Sequence, residues 1–258
     1  MILTADYHTH TPYSHGKNTI NENVARAKEL GLQQIGITDH GFSHVAFGLR
    51  RKEVSAYKAE CEEAEKKYGV KVLVGIEANI RGVGGGSDLT KADYENFDLY
   101  LCGNHVCIFF STLKDKFVYG WRNLLLNSVF HKKTEKQIAC NTKAYVNVIK
   151  NNPIDAITHL NYQCPANALE VAKCAADYGT YLELDAKKEH LTDDELCEIV
   201  QKTSVRFIVN SDAHSKERIG DTALIAKQLR RIDFPMDRID NIEGRLPTFR
   251  FAEFKKKM

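Results

Sequence analysis

Short apolar runs alternate with amphipathic stretches along most of this chain. The first run, Ala5-Asp6-Tyr7-His8-Thr9-His10, reads as a strand. The segment opened by Asn21 carries Val24, Ala27 and Leu30 at helical spacing and meets Gly31 as a stop signal. Gln34-Ile35-Gly36-Ile37-Thr38 reads as the second strand. A long helix is expected from about Val54 to Tyr68, ended by Gly69. Further strands are expected at Lys71 to Ile76, Leu99 to Cys102, Ala156 to Thr158, Thr180 to Leu184 and Arg206 to Val209, the last three separated by helical patterns. Seven strand–helix units predict a parallel sheet, and seven in succession favour a closed α/β barrel.

Two stretches break the rhythm. Residues 109–134 hold Phe109, Phe110, Phe117, Tyr119, Trp121 and Phe130 among lysines, which reads as an insertion after the fourth strand. The tail from about Asp233 also leaves the strand–helix pattern. The glycine-rich stretch from Gly82 to Gly86 has no P-loop lysine and opens no helix, so a flexible loop is expected, not a phosphate cradle. No linker rich in Pro, Gly or Ser divides the chain. The expected organisation is one domain over 1–258 with an insertion at about 109–134.

Composition narrows the function classes modestly. The chain has 258 residues, of which 43% are hydrophobic and 27% charged, so a packed core needs no disulfide or metal staples. With 36 basic and 34 acidic residues the formal net charge is only +2. A duplex-binding protein shows a stronger basic excess, so charge lends a nucleic-acid partner no support, although it does not exclude one. Seven cysteines, an odd number with no CxxC pair, read as reduced thiols. The polar segment Asp6 to His10 comes almost at once and no apolar run nears membrane-helix length, so neither signal peptide nor membrane span is expected and a cytoplasmic location is.

The candidate chemistry lies at the ends of the expected strands. His8 and His10 end the first strand two residues apart, hence on one face. His15 follows in the next loop. Asp39-His40 ends the second strand, Glu77 the third, His105 the fourth, His159 the fifth, and Asp212-Ala213-His214 the seventh. Each motif alone is weak, because an isolated histidine is commonly a hydrogen-bonded core or surface residue. Jointly they are not: seven of the ten histidines fall at strand ends or just after them, joined by two carboxylates. In β/α barrels that face carries the active site. Imidazole and carboxylate donors without thiolates suit zinc, manganese or iron better than magnesium or calcium. Nine donors exceed the need of one four- or five-coordinate ion and suffice for two or three.

The order and content of these motifs resemble the PHP (polymerase and histidinol phosphatase) metallohydrolases. The matching segments are Asp6-Tyr7-His8-Thr9-His10, Ile37-Thr38-Asp39-His40-Gly41, Gly75-Ile76-Glu77-Ala78-Asn79, Ile157-Thr158-His159 and Ser211-Asp212-Ala213-His214. The resemblance implies a distorted seven-stranded (β/α)7 TIM-like barrel of PHP type. It implies that His8, His10, Glu77 and Asp212 hold one ion, that Glu77 bridges to a second held with His105 and His159, and that His15, His40 and His214 hold a third. The cofactors expected are two or three divalent transition metal ions, zinc first, with manganese and iron as alternatives. The implied activity is a metal-dependent phosphoesterase that hydrolyses a small phosphomonoester by a metal-activated hydroxide at a di- or trinuclear centre, with Glu77, Asp212 and His214 as catalytic residues.

Four alternatives stand beside it: a histidinol-phosphate phosphatase specifically, a nuclease of the same family, an amidohydrolase, and a non-catalytic metal-binding module. Amidohydrolases usually have eight strands and often a bridging lysine on strand four, where this chain has His105. His159-Leu160-Asn161-Tyr162 replaces the His-Pro of many members and is nearer the His-Leu-Asp of histidinol phosphatases. Arg50, Arg51, Arg81 and Arg218 follow strand ends as candidate phosphate clamps, each with a plain surface role as the simpler reading. Asp39 and Asp185 are candidates for orienting ligands. His44 could reach the mouth, whereas His131 and His190 read as surface residues. The aromatic insertion could cover the substrate side of the mouth, or merely pack on the barrel. No oligomeric state is implied.

Overall fold

The computed structural model describes residues 1–105, 107–130 and 132–258, and not the side chains of Asn127 and Ser128. His131 lies outside the described residues. The strands are β1 (Ala5–Asp6), β2 (Gln34–Ile37), β3 (Lys71–Asn79), β4 (Leu99–Gly103), β5 (Ala156–Ile157), β6 (Tyr181–Asp185) and β7 (Phe207–Asn210). All neighbours pair in parallel, in sequence order from β1 to β7. The molecule is the expected distorted seven-stranded (β/α)7 barrel.

No backbone ladder joins β7 to β1; side chains and single bridges close the gap. The Asn241 amide donates to Ala5 O and Val209 O, and its Oδ1 accepts from Val209 N. One layer higher, Asn210 Oδ1 accepts from Tyr7 N, and Asp6 accepts from both Ser211 N and Ser211 Oγ. Higher still, Thr9 pairs with Ala213 and His10 N donates to Ala213 O. The first run therefore stops being a regular strand at Asp6 but keeps its course to His10.

The helices α1 (Ile20–Glu29), α2 (Val54–Tyr68), α4 (Glu135–Asn151), α5 (Ala168–Tyr178), α6 (Asp193–Lys202) and α7 (Ala223–Arg231) surround the barrel; α3 (Leu113–Asp115) is one short turn, and α8 (Arg250–Lys255) ends the chain. Helix α1 starts two residues earlier than its sequence signals suggest. Thr19, not Asn21, is the cap, in a reciprocal pair with Glu22 that satisfies two free amides. Gly69 ends α2 at φ 68°, a conformation that costs glycine little.

The segment from 109 to 134 is helical but irregular: α3 runs into π-helical turns at Lys116–Trp121 and Leu124–Val129. Tyr119 is buried and donates to Asn104 Oδ1 at 2.6 Å, while Phe109, Phe117, Trp121 and Phe130 are exposed. The glycine-rich stretch is tied down rather than free, because Asn147, Asn151 and Asn152 donate to the carbonyls of Val83, Gly84 and Gly85. The tail from Asp233 plugs the lower end of the barrel. Phe249 packs among Tyr7, Leu101, Tyr181 and Ile208, and Phe251 N donates to buried Asp155.

Inside the barrel the side-chain period of two sorts residues by height. On β4 the order is Leu99, Leu101, then Gly103 and His105. On β6 it is Tyr181, then Glu183 and Asp185, and on β7 Ile208, then Asn210 and Asp212. The lower positions form one apolar cluster. The alternate strand residues, such as Val72, Val74, Ile76, Tyr100, Leu182 and Val209, join the larger core with the helices.

Candidate metal centre

Each strand of the barrel delivers polar side chains to the upper mouth. Glu77 is fully buried near the end of β3 and lies at the middle of the group. Its Oε2 stands 3.4 Å from His8 Nε2, 3.9 Å from His10 Nε2, 3.6 Å from His105 Nε2 and 2.7 Å from His40 Nδ1. Its Oε1 stands 2.6 Å from His159 Nε2 and accepts from Thr158 Oγ1 at 2.9 Å. Asp212 Oδ1 lies 3.1 Å from His10 Nε2 and 3.7 Å from His8 Nε2. His15 stacks on His40 with ring centroids 4.8 Å apart and lies 4.3 Å from His214. All nine residues singled out from the sequence therefore meet at one mouth.

The donor atoms fit metal ions, on an observation independent of any relative. His8 Nε2, His10 Nδ1, His40 Nδ1, His159 Nδ1 and Glu77 Oε2 are buried with no hydrogen-bond partner. The 2.7 Å approach of His40 to Glu77 lacks hydrogen-bonding geometry. Buried polar atoms without partners are costly unless something else satisfies them. Three groups bring their donor atoms within 4.8 Å of one another: His10, His40 and His214; His8, His10 and Glu77; and His40, Glu77 and His105. The first differs from the expected third set, since His10 stands with His40 and His214 where His15 was expected.

The electrostatics divide the proposed donors. Burial alone would raise the Glu77 carboxyl, but His105, His8, His159 and His40 together outweigh it and hold the group well below the usual carboxylate range. Burial raises Asp212 as well, and His8, His10 and Lys187 reverse the direction. Burial pushes His10 and His105 well below the ordinary imidazole value, whereas at His8 the Glu183 and Glu77 carboxylates, and at His159 the Glu77 carboxylate, outweigh burial and raise the ring. Burial and the neighbouring His40 take His15 down to about 4. The backbone at two of the nine is strained: His159 has φ 31° and Asp212 φ 45°, in the left-handed region that non-glycine residues rarely enter.

A second layer orients these donors, and the sequence pattern pointed to only part of it. Glu183 on β6 accepts from His8 Nδ1 at 2.8 Å, from His159 N and from Asn210 Nδ2, which turns His8 Nε2 toward Glu77. A carboxylate inside the apolar run Tyr181-Leu182-Glu183-Leu184 was the available signal. Asn79 Oδ1 accepts from His105 Nδ1 at 2.8 Å, and Asp88 fixes Asn79. Asp39 binds no proposed donor; it accepts from Thr11 N, Thr11 Oγ1 and Ser14 Oγ and so shapes the loop leading to His15. Asp185 accepts from His190 Nε2 at 2.9 Å and from Lys187 N at 2.6 Å.

The mouth opens into a cavity of about 620 Å³ lined by His15, His40, His105, His159, Asp212 and His214 among others. His44 and His190 also line it, so His190 is not the plain surface residue its charged context suggests. The four arginines do not line this cavity. Arg51 pairs with Asp93 at 3.0 Å, Arg81 donates to Phe109 O, Arg218 pairs with Asp221, and Arg50 lines a neighbouring hollow. The cations here are Lys187 and Lys188. Among the described residues, none from the aromatic insertion lines the cavity.

Fold and donor set together define a β/α barrel with a candidate metal centre at its mouth. A family model described as "PHP domain" matches residues 6–187. This chain belongs to the PHP domain family. A protein of Acetivibrio thermocellus named "Probable phosphatase" is 28% identical over 256 residues, covering 93% of this chain and 92% of its own. One of the same name from Tolumonas auensis is also 28% identical, covering 95% and 92%. Among solved structures, histidinol phosphate phosphatase from Lactococcus lactis, complexed with zinc, L-histidinol and phosphate, superposes with a TM-score of 0.62 at 17% identity and covers 98% of each chain. At that identity the likeness speaks for the fold.

Proposed function

We propose that this phosphatase hydrolyses a small phosphomonoester at a di- or trinuclear divalent metal centre. The observation that carries the reading is the convergence of seven imidazoles and two carboxylates on one mouth, where His8 Nε2, His40 Nδ1 and Glu77 Oε2 face one another, buried without hydrogen-bond partners. The proposed ligands are His8, His10, His15, His40, Glu77, His105, His159, Asp212 and His214. Divalent ions held there would lower the pKa of water so that hydroxide is available near neutral pH, and would offset charge developing on phosphoryl oxygens. Zinc is the first candidate, by the donor chemistry and by the zinc in the Lactococcus structure; manganese and iron suit the donors too.

The chain's own residues do the rest. Glu77, central to the donors, is the proposed bridge that sets the spacing between ions. Glu183 and Asn79 hold His8 and His105 in the tautomers that present Nε2 to the centre. Asp212 and His214, at the cavity wall, are the proposed groups that orient the attacking water and take its proton. The cavity has room for a small organic group beside the phosphoryl.

The test is a screen of phosphorylated metabolites, histidinol phosphate among them, with protein loaded in turn with zinc, manganese and iron. Turnover of at least one monoester is expected, lost on chelation and restored by metal. A fully loaded protein that hydrolyses none of them, but cleaves oligonucleotides, would replace this reading with the nuclease one.

A further inference from the structure

We infer that Lys187, rather than any arginine, is the side chain that binds the substrate's phosphoryl group, an assignment that rests on the phosphatase reading above. Lys187 follows β6, and its backbone is pinned where its N–H donates to Asp185 Oδ1 at 2.6 Å. Asp185 is buried and also holds His190, so one carboxylate fixes the start of this loop at the cavity wall. From there the Lys187 ammonium reaches Asp212 Oδ2 at 2.8 Å and stands 3.3 Å from His214 Nδ1. It thus lies beside two proposed ligands. An ammonium has three N–H donors. Asp212 takes one and His214 at most a second, which leaves at least one for an anion in the cavity. The side chain is 48% exposed although it belongs to an ion pair, so an incoming ligand can meet it without unpacking the barrel.

Three of the four candidate arginines are engaged elsewhere, and Arg50 lines a neighbouring hollow instead. Arg51 is committed to Asp93 and to Asp88 O, Arg81 to Phe109 O, and Arg218 to Asp221. Lys188 shares the cavity wall but has no ion pair with a proposed ligand among the described residues. A phosphoryl oxygen lying between the metal donors and the β6 loop would therefore meet Lys187. A single point charge with three rotatable donors suits an oxygen whose charge grows during displacement.

The experiment uses zinc-loaded full-length protein and inorganic phosphate as the probe, with calorimetric Kd, metal content by elemental analysis, and KM and kcat on the best monoester from the screen. Lys187→Met is expected to weaken phosphate binding about tenfold or more with unchanged metal content. Lys187→Arg, which keeps the charge, is expected to recover most of the loss. Unchanged phosphate affinity in Lys187→Met overturns the assignment. So does a parallel loss of metal and phosphate, because Lys187 would then serve only to hold Asp212. If the loaded wild type neither binds phosphate nor hydrolyses any monoester, the phosphatase reading fails and this assignment with it; wild-type binding with an indifferent variant condemns Lys187 alone.

Discussion

The two ends of the barrel interior are built by the same strands yet differ in kind. Below, Leu99, Leu101, Tyr181, Ile208 and Phe249 make an apolar plug. Above, two to four residues further along the same faces, stand His105, Glu183, Asp185, Asn210 and Asp212. The lower layer is packed mainly through apolar contacts, and its polar groups, such as Tyr7 OH on Gln34, are paired, so its energy goes into stability. The upper layer keeps Glu77 and His8 fully buried and leaves donor atoms unpartnered, which in the absence of ions costs stability. A strand that alternates strictly can carry both, because the switch needs no change of register, only of residue type.

That contrast can be broken most sharply at Glu77. Glu77→Gln should lower kcat by about a thousandfold or more and remove at least one equivalent of metal, while the metal-free protein keeps its cooperative melt. Wild-type kcat with full metal content in that variant would show that Glu77 bridges nothing. The converse change is Leu101→Ala in the plug. It should cost about 2–5 kcal/mol in denaturant unfolding, with metal stoichiometry unaltered under conditions where the variant is folded. If metal binding weakens as much as stability, the two ends are not separable.

A smaller effect is expected one step away from the centre. Glu183→Gln leaves the nine proposed ligands in place but weakens the hold on His8 Nδ1, and metal affinity should fall about 10–100-fold. Competition with a chelator of known affinity measures it; an unchanged affinity would make Glu183 a barrel-closing residue only.

A last contrast concerns pH at the lower end. Burial pushes Asp155 up to about 7 despite amide donors from Phe251 and Tyr100. Between its ordinary value of 3.8 and about 7 the folded state binds a proton that the unfolded state does not. Its contribution to stability is therefore complete below the ordinary value and is lost as pH rises through about 7. Asp155→Asn does not titrate, so the stability gap between wild type and variant should narrow from pH 4 to pH 7.5. Urea titrations that give a constant gap would refute this.

The barrel and its metal-type mouth were legible in the chain because both rest on local periodicity. Apolar runs spaced by amphipathic helices predict parallel strands, and His8 with His10, or Asp212 with His214, occupy positions two apart at predicted strand ends. Periodicity misreads His190 and leaves the arginines and the insertion open, because each depends on a side-chain partner that no periodicity names. His190 sits in a charged stretch that reads as solvated, yet Asp185 draws it into the cavity wall. The arginines after strand ends look like phosphate clamps until Asp93, Asp221 and the Phe109 carbonyl are seen to hold three of them. The aromatic insertion looks like a lid, but its buried Tyr119 anchors on Asn104 beside the barrel and most of its other rings face solvent.

By itself, then, the sequence determined the number and succession of strands, their parallel arrangement in a barrel, and nine candidate ligands at or just after strand ends. The strands follow from backbone periods of 2 and 3.6 residues, and the ligand set also from the motifs that resemble the PHP metallohydrolases. Only the tertiary structure decided how the barrel closes through Asn241, Asn210 and Asp6, that Glu183 and Asn79 turn the imidazoles, that His10 stands with His40 and His214, and that Lys187 is the cation beside Asp212. Each of these is a contact between residues far apart in the chain. Such a contact is set by the curvature and stagger of seven strands together, and no local pattern encodes it.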